Sequence, residues 1–525
     1  MPTPVACSSY RADRGILRKV CSFPVFLGAL LLAGVFACAR MNPPEPDTWW
    51  HTAVGEQILR VGAWPEVDSY SFTVSGTEWM AYEWLGEVVM ALAARAAGLQ
   101  GQTALVIILA GLIFLLLYYW CYLRSGNVKA AFVACTLVLP LSGLFFVLRP
   151  QLLGYVLLLL MLICLERFRL GHSGALWLLP PLFWVWVNTH GTFAFGLAIW
   201  ALYWLSGFLK FRLGGVEAVS WTPLQRRNLA LAYLCSVLLL PLTPYGTRLA
   251  AYPLQMALFQ PVNIASIREW QPLGPDLLMG KLFLGLLLLF FLAQVLFRMQ
   301  YRLEDLGLLL FAVYAASSHR RFLFFFLLIF APLLASLLAR WLPPYQPHKD
   351  HPVLNFALLG VMVFGMVWFF PSADALRQTV LRNYPERAVA YLQQNPVPGP
   401  MFNEYGWGGY LIWSRSPHSR VFIDGRADIY EYGGVLADYM SISLLEPDTQ
   451  ALLRKYGVNS CLIQRDAPLG TLLAGLPDWQ RAYADEVSVL YVRKGPRPVD
   501  ASLLSQRLSP EHKSSHSPAA LVTIQ

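Results

Sequence analysis

Acidic side chains gather just beyond the first long apolar run of the chain. Asp47 stands in P-D-T-W-W-H with His51 four residues on, Asp68 follows in P-E-V-D-S-Y-S-F-T, and Glu83 and Glu87 stand in E-W-L-G-E. The spacing of the last two places them at i and i+4, on one face of a helix. A carboxylate a few residues past a membrane span lies at interface depth, where it can meet a lipid-borne headgroup and take a proton from an attacking hydroxyl. Asp47 is the first candidate for that base and Glu83 the second. The same residues have a plainer use, with Trp49 and Trp50 as an interfacial belt and Asp47 capping the following helix.

Basic and aromatic groups complete the set. Arg149 lies in F-V-L-R-P-Q, Arg320 and Arg321 in S-S-H-R-R-F, and His190 in N-T-H-G-T-F beside Asn188. A guanidinium at a membrane surface fits the oxygens of a phosphate bidentately. The alternative is an arginine that snorkels from a helix end, and His190 is either a ligand-binding or a structural hydrogen-bonding group. Further on, Asp424, Arg426 and Asp428 alternate in D-G-R-A-D after the apolar V-F-I, so that they project together from a strand end, for binding or as a salt-bridged turn. Trp407, flanked by Gly406, Gly408 and Gly409, offers a face on which a sugar can stack, or a glycine-rich turn that packs on the membrane part.

What must position these groups is a polytopic α-helical membrane protein. Of 525 residues 56% are hydrophobic and only 14% charged, against about 25% charged in soluble domains; mean hydropathy is +0.48. Apolar runs long enough for a bilayer begin near Ser22, Thr103, Ala130, Gln151, Gly174, Thr192, Asn228, Leu277, Leu306, Phe322 and Val353, which predicts about eleven spans. Alternate loops carry the cations: Arg11, Arg14, Arg18 and Lys19, then Arg124 and Lys129, Arg167 and Arg169, Lys210, Arg212, Arg226 and Arg227, Arg298 and Arg302, Arg340 and Lys349. That is the bias of cytoplasmic loops, so the net charge of +9 points to topology and not to nucleic acid. The expected order is a cytoplasmic N-terminus (1–21), a transmembrane domain (22–370) with outer loops at 40–102 and 244–276, a small extracytoplasmic α/β domain (371–507) and a disordered tail (508–525). The first run, ending Ala37-Cys38-Ala39, also has the shape of a signal peptide, but the alternation works with it retained. In the α/β domain we expect a helix over Pro385 to Gln394 and strands over Val421 to Asp424, Cys461 to Gln464 and Val487 to Val492. The eight cysteines show no C-x-x-C spacing and read as packing residues.

Taken with T-P-Y-G, I-R-E-W and F-N-E-Y-G-W-G-G-Y-L-I-W, these motifs resemble bacterial membrane glycosyltransferases of the GT-C superfamily, which draw sugars from polyprenyl-phosphate carriers. The resemblance spans most of the membrane region and implies that Asp47 is the catalytic acid of the first outer loop. The Asn403-Glu404-Tyr405 stretch differs from the W-W-D-Y-G region of the oligosaccharyltransferases, so recognition of an acceptor peptide does not carry over.

The expected activity is therefore an inverting hexosyl- or pentosyltransferase of the inner membrane. Its donor is a polyprenyl-phosphate-linked sugar and its acceptor an envelope lipid, glycan or protein. Asp47 and Glu83 are the catalytic candidates. Arg149, Arg320, Arg321 and His190 would hold the donor phosphate, and His51, Asp68, Trp407, Asp424, Arg426 and Asp428 the acceptor or sugar. A divalent metal, Mg or Mn, is left open as cofactor, with no ligand set assigned. The alternatives are a polysaccharide polymerase or ligase, and a non-enzymatic lipid or polysaccharide transporter whose polar groups would line a route through the bilayer.

Overall fold

The computed structural model describes residues 19–297, 299–415 and 420–494. The cations Arg11, Arg14, Arg18 and Arg298, residue Cys7 and the tail expected from 508 lie outside the described residues. Helix α1 (Phe23–Ala39) leads into α2 (Pro46–Val61). There follow α3 (Trp84–Ser125), α4 (Val128–Ser142), α5 (Gln151–Arg169), α6 (Leu179–Val187), α7 (Phe193–Ser206), α8 (Pro223–Leu239), α9 (Thr247–Phe259), α10 (Leu278–Phe297), α11 (Leu303–Ser318), α12 (Leu323–Leu338) and α13 (Pro352–Trp368).

Each of the eleven apolar runs thus forms a helix, but they differ in reach. Among the described residues five helices are long and apolar enough to cross a membrane, and a sixth counts if Pro352–Trp368 and Ala373–Asn383, bent by 55°, act as one span. Phe23–Ala39, Ser173–Val187 and Phe193–Ser206 are shorter apolar helices.

Ion pairs mark the two ends of the helix bundle. At one end Arg124, where α3 stops, pairs with Asp305 at the start of α11 and lies 3.2 Å from Glu166 in the last turn of α5. Arg302 holds the same Glu166 at 3.0 Å. A small sheet lies at this end: β1 (Phe211–Leu213) and β2 (Val216–Ala218) pair antiparallel, and β3 (Tyr301–Arg302) joins β2 in parallel. At the opposite end the loops after α1, α4, α6, α9 and α11 meet, and there the acids and arginines singled out above come together.

Two local devices aim the acids. Helix α2 starts from Glu45 as N-cap, with Pro46 in its first turn and a reciprocal capping box between Glu45 and Thr48, which fixes Asp47 in the first turn. Helix α3 is not continuous: Ala97 and Gly98 leave helical geometry, Gly98 with φ of 55°. Its first three turns therefore form a separate arm that lies along α2 and brings Glu83 and Glu87 beneath it.

The chain after α13 builds α14 (Ala373–Asn383), α15 (Glu386–Gln394), α16 (Tyr405–Arg415) and α17 (Ala427–Tyr432) with a four-stranded sheet, β4 (Met401–Asn403), β5 (Ser460–Gln464), β6 (Trp479–Ala484) and β7 (Ser488–Arg493), in the order β4-β5-β7-β6. The helix expected near 385–394 and the strands near 461 and 487 are present. Val421 to Asp424 is not a sheet strand: it is buried extended chain whose Val421 bridges Ser71 of the first loop. Trp49 and Trp50, expected at the membrane interface, are buried at 0% and 3% exposure. They share one core with Tyr384, Tyr410, Phe402 and Phe422. Loop 40–83 and the C-terminal sheet are thus halves of one hydrophobic unit.

A buried ion cluster ties those halves. Arg426 is fully buried and reaches Asp68 at 2.7 Å and both oxygens of Asp424 at 2.8 and 2.7 Å, while Tyr430 donates to Asp424 at 2.5 Å. The polar atoms of Asp68, Asp424 and Arg426 are spent on one another and on Tyr70, Ser71 and Tyr430, which turns three residues expected at a sugar-binding surface into a clamp. Arg426→Ala leaves two buried carboxylates unpaired, so it should destabilise the protein by about 3–5 kcal/mol. Thermal denaturation of the purified protein measures this, and a melting temperature equal to wild type would refute the clamp.

Candidate active site

Asp47 sits under three restraints. Trp50 donates its indole N–H to Oδ1 at 3.0 Å, Arg149 pairs with Oδ2, and the backbone of Gly425 lies so close that a Cβ there would fall 1.9 Å from Oδ1. Burial raises the Asp47 carboxyl above its ordinary range, while Arg149 draws it down. The net direction is upward, so the carboxylate, while still paired with Arg149, is a stronger base than a solvated aspartate.

Arg149, just before α5, is the hub. Beyond Asp47 it pairs with Glu45 and lies 2.8 Å from Glu269 on the turn Arg268–Trp270. The other oxygen of Glu269 lies 3.4 Å from Arg321, whose guanidinium stacks 4.1 Å over Trp270. Burial pushes Glu45 up to about 7 against the pull of Arg149. Burial also disfavours the Glu269 anion, but Arg149 and Arg321 prevail and hold it at about 2.

Beside this hub a cleft of about 260 Å³ opens, lined by Arg149, Arg268, Arg320, Arg321 and Glu269 on its polar side and by Leu144, Phe145, Leu152 and Met279 on its apolar side. Arg320 donates to the backbone oxygen of Pro272 at 3.2 Å.

Glu83 occupies a different niche. It lies 3.3 Å from His190 Nε2 and 3.4 Å from His51 Nε2, and His51 Nδ1 lies 3.0 Å from Glu87. His190 Nδ1 accepts from the backbone N–H of Thr192 at 3.1 Å, so its proton is on Nε2 and points at Glu83. Burial keeps both rings neutral, His190 down at about 3 and His51 well below its usual range. Burial pushes Glu83 up to about 8. That upward direction favours the protonated acid over the anion at neutral pH. Glu83→Gln copies its donors and acceptors, so transfer at neutral pH should stay within about tenfold of wild type, unlike the loss of a true base. In the folded protein Glu83 keeps a proton that the unfolded chain releases above about 4.5. Raising the pH from there to about 8 thus favours unfolding, and Glu83→Gln should flatten that part of the stability profile. A dead variant, or an unchanged profile, would overturn the assignment.

The structure gathers Asp47, Glu83, Arg149, Arg321, His51 and His190 in one place, with Arg320 in the cleft wall. It does not bring Trp407 there as a sugar platform: that residue lies in α16, 3% exposed, its N–H donated to Asn383. His51 is likewise enclosed between carboxyls. Asp428 alone of the tail residues keeps free capacity. Tyr252, stacked 4.1 Å from Tyr82, donates to its Oδ2 at 3.2 Å, while its Oδ1 and Gln260 Oε1 are buried with no partner among the described residues. Burial raises Asp428 to about 6. Sequence reasoning did not assign Glu45, Arg268, Glu269 or Gly425, although I-R-E-W and D-G-R were both noticed. Among the described residues no cluster of three His, Cys, Asp or Glu has the geometry to hold a metal.

No family model and no curated protein matches the chain. Among solved structures, an oligosaccharyltransferase from Archaeoglobus fulgidus, tethered to an acceptor peptide with an NVT sequon, aligns with a TM-score of 0.50 at 13% identity, over 85% of this chain and 70% of that one. ArnT from Cupriavidus metallidurans bound to undecaprenyl phosphate gives a TM-score of 0.49 at 14% identity, over 90% of this chain and 99% of that one. The chain shares the membrane-protein fold of that archaeal oligosaccharyltransferase.

Proposed function

We propose that the protein is an inverting membrane glycosyltransferase that moves a sugar from a polyprenyl-phosphate donor to an envelope acceptor on the outer face of the inner membrane. Fold alone does not carry function. The observation that carries this reading is the cleft, whose lining combines four arginines and two glutamates with Leu144, Phe145, Leu152 and Met279, and to which Asp47 is joined through Arg149. Such a cleft suits a ligand with an anionic head and an apolar chain. The bundle end opposite the site holds Arg124, Arg169 and Arg302, which favours a cytoplasmic placement there and an outward-facing site, with eleven spans between the N-terminus and the C-terminal domain.

The acceptor hydroxyl attacks the anomeric carbon from the side opposite the phosphate, and its proton passes to Asp47. As the new C–O bond forms, the bond to the phosphate oxygen breaks and its electron pair stays on the departing phosphate. Arg149 and Arg321 offset that charge, while Arg320 holds the phosphate of the bound donor. Phosphate at Arg149 also competes with Asp47 for the guanidinium, so donor binding frees the base.

Purified protein assayed with a polyprenyl-phosphate sugar tests this reading, and mass spectrometry of lipid-linked sugars and envelope glycans in a deletion strain identifies the sugar and the acceptor. Arg320→Ala touches no site carboxylate and should raise the donor KM by about tenfold with kcat little changed, as expected for lost ground-state binding. Arg149→Ala should raise KM and also lower kcat. Unchanged kinetics in both variants would sink phosphate recognition here.

A further inference from the structure

Glu269 has no part in the chemistry just described, yet it bridges two arginines of the site. Each of its oxygens faces a different guanidinium, Oε2 that of Arg149 at 2.8 Å and Oε1 that of Arg321 at 3.4 Å. An anion spanning two arginines in an arginine-lined cleft stands where a phosphate would stand. Its backbone is fixed on both sides. Glu431 accepts from the amides of Val262 and Asn263 at 2.9 and 2.7 Å, and the Gln271 oxygen accepts from the Arg320 amide at 3.0 Å. The carboxylate thus hangs from a short strap anchored at each end and can return to the same place.

We propose that Glu269 is an intramolecular stand-in for the carrier phosphate, displaced from Arg149 and Arg321 when the donor binds and reclaiming them after transfer to expel the polyprenyl phosphate. The inference rests on the phosphate reading of the cleft. Charge makes the return step necessary. The donor is a phosphodiester with one negative charge, whereas the carrier left after transfer is a monoester with up to two. The product is therefore held more tightly by the same arginines than the substrate that brought it. A tethered carboxylate at high effective concentration competes with the product and restores the empty site.

The roles are distinct. Asp47 governs the chemical step; Glu269 positions nothing on the sugar and acts through the arginines, so its removal should separate product release from chemistry. In the full-length protein in lipid nanodiscs, Glu269→Gln should bind undecaprenyl phosphate roughly 10- to 100-fold more tightly, the effect of removing one competing charge-assisted contact. Its steady-state kcat should fall while the single-turnover rate stays at the wild-type value. Glu269→Asp, one methylene too short to span both arginines, should lie between the two. Equal or weaker binding of undecaprenyl phosphate by Glu269→Gln, or a slowed single turnover, would overturn the stand-in. Glu431→Ala loosens the strap but leaves the Glu269 charge, and if it tightened binding as much as Glu269→Gln, the cause would be loop mobility and the inference would fall. Arg321→Gln separates the two levels of the argument. If it binds undecaprenyl phosphate as wild type does, phosphate does not sit on these arginines. If it loses binding while Glu269→Gln gains none, the cleft is the phosphate site and only the stand-in is wrong.

Discussion

Asp47→Asn should reduce sugar transfer by roughly 100- to 10,000-fold, the span expected for loss of a positioned general base, with thermal stability close to wild type and donor affinity no weaker, since one competitor for Arg149 is gone. Asn keeps the oxygen that accepts from Trp50, so the side chain stays in place. Arg149 loses one carboxylate but keeps Glu45 and Glu269, so the phosphate site stays assembled. What disappears is the carboxylate's charge and with it the capacity to take a proton. The assay is transfer from a polyprenyl-phosphate sugar by purified protein, run beside Glu83→Gln. Near-normal activity in Asp47→Asn together with a dead Glu83→Gln would move the base to the second acid and leave glycosyl transfer standing. Loss in neither variant would end the enzyme reading and favour a transporter.

Much of this site was legible because polar residues are conspicuous at the ends of apolar runs. Asp47 after the first run, Arg149 before the fourth, His190 between the fifth and sixth and Arg321 at the start of the tenth each interrupt hydrocarbon-compatible sequence. Chain alternation alone predicts that such interruptions share an end of the bundle. The partners of these groups were hidden for a different reason. Glu45 in P-P-E-P reads as loop, and Glu269 beside Arg268 reads as a local pair, whereas its partner Arg149 is 120 residues away. The tail misled in the opposite direction. Asp68 and Arg426 are 358 residues apart, and seen singly each looks like an unpaired polar group in want of a ligand, when each is the other's ligand. Val421 to Asp424 has the apolar composition of a sheet strand, but that burial is supplied by contact between the first loop and the C-terminal unit and not by a ladder. The glycines around Trp407 suggest a sugar-stacking face or a turn. Those glycines serve a close approach: a Cβ on Gly409 would meet the Pro46 oxygen at 2.6 Å, so the first turn of α2 lies directly on α16.

Gly425→Ala should therefore be among the most damaging substitutions in the C-terminal unit, although Gly425 donates no functional group. The added Cβ would stand 1.9 Å from Asp47 Oδ1 and 2.7 Å from Trp50 Nε1, and neither distance is physical, so something must move. Chain 421–424 is buried against the first loop and Arg426 is locked by Asp68 and Asp424, which leaves the loop backbone little room. The tip of Asp47 is the softest element at the contact and should swing away, straining its bonds to Trp50 and Arg149. A misplacement of about 1 Å at a reacting group costs on the order of 100-fold in rate, so kcat should fall by about that factor while the protein still folds and binds undecaprenyl phosphate. Arg426→Ala gives the contrasting signature, with stability lost first and activity falling because the protein unfolds. If Gly425→Ala kept wild-type kcat, the D-G-R loop would not buttress Asp47, and the C-terminal unit would have no direct part in holding the base.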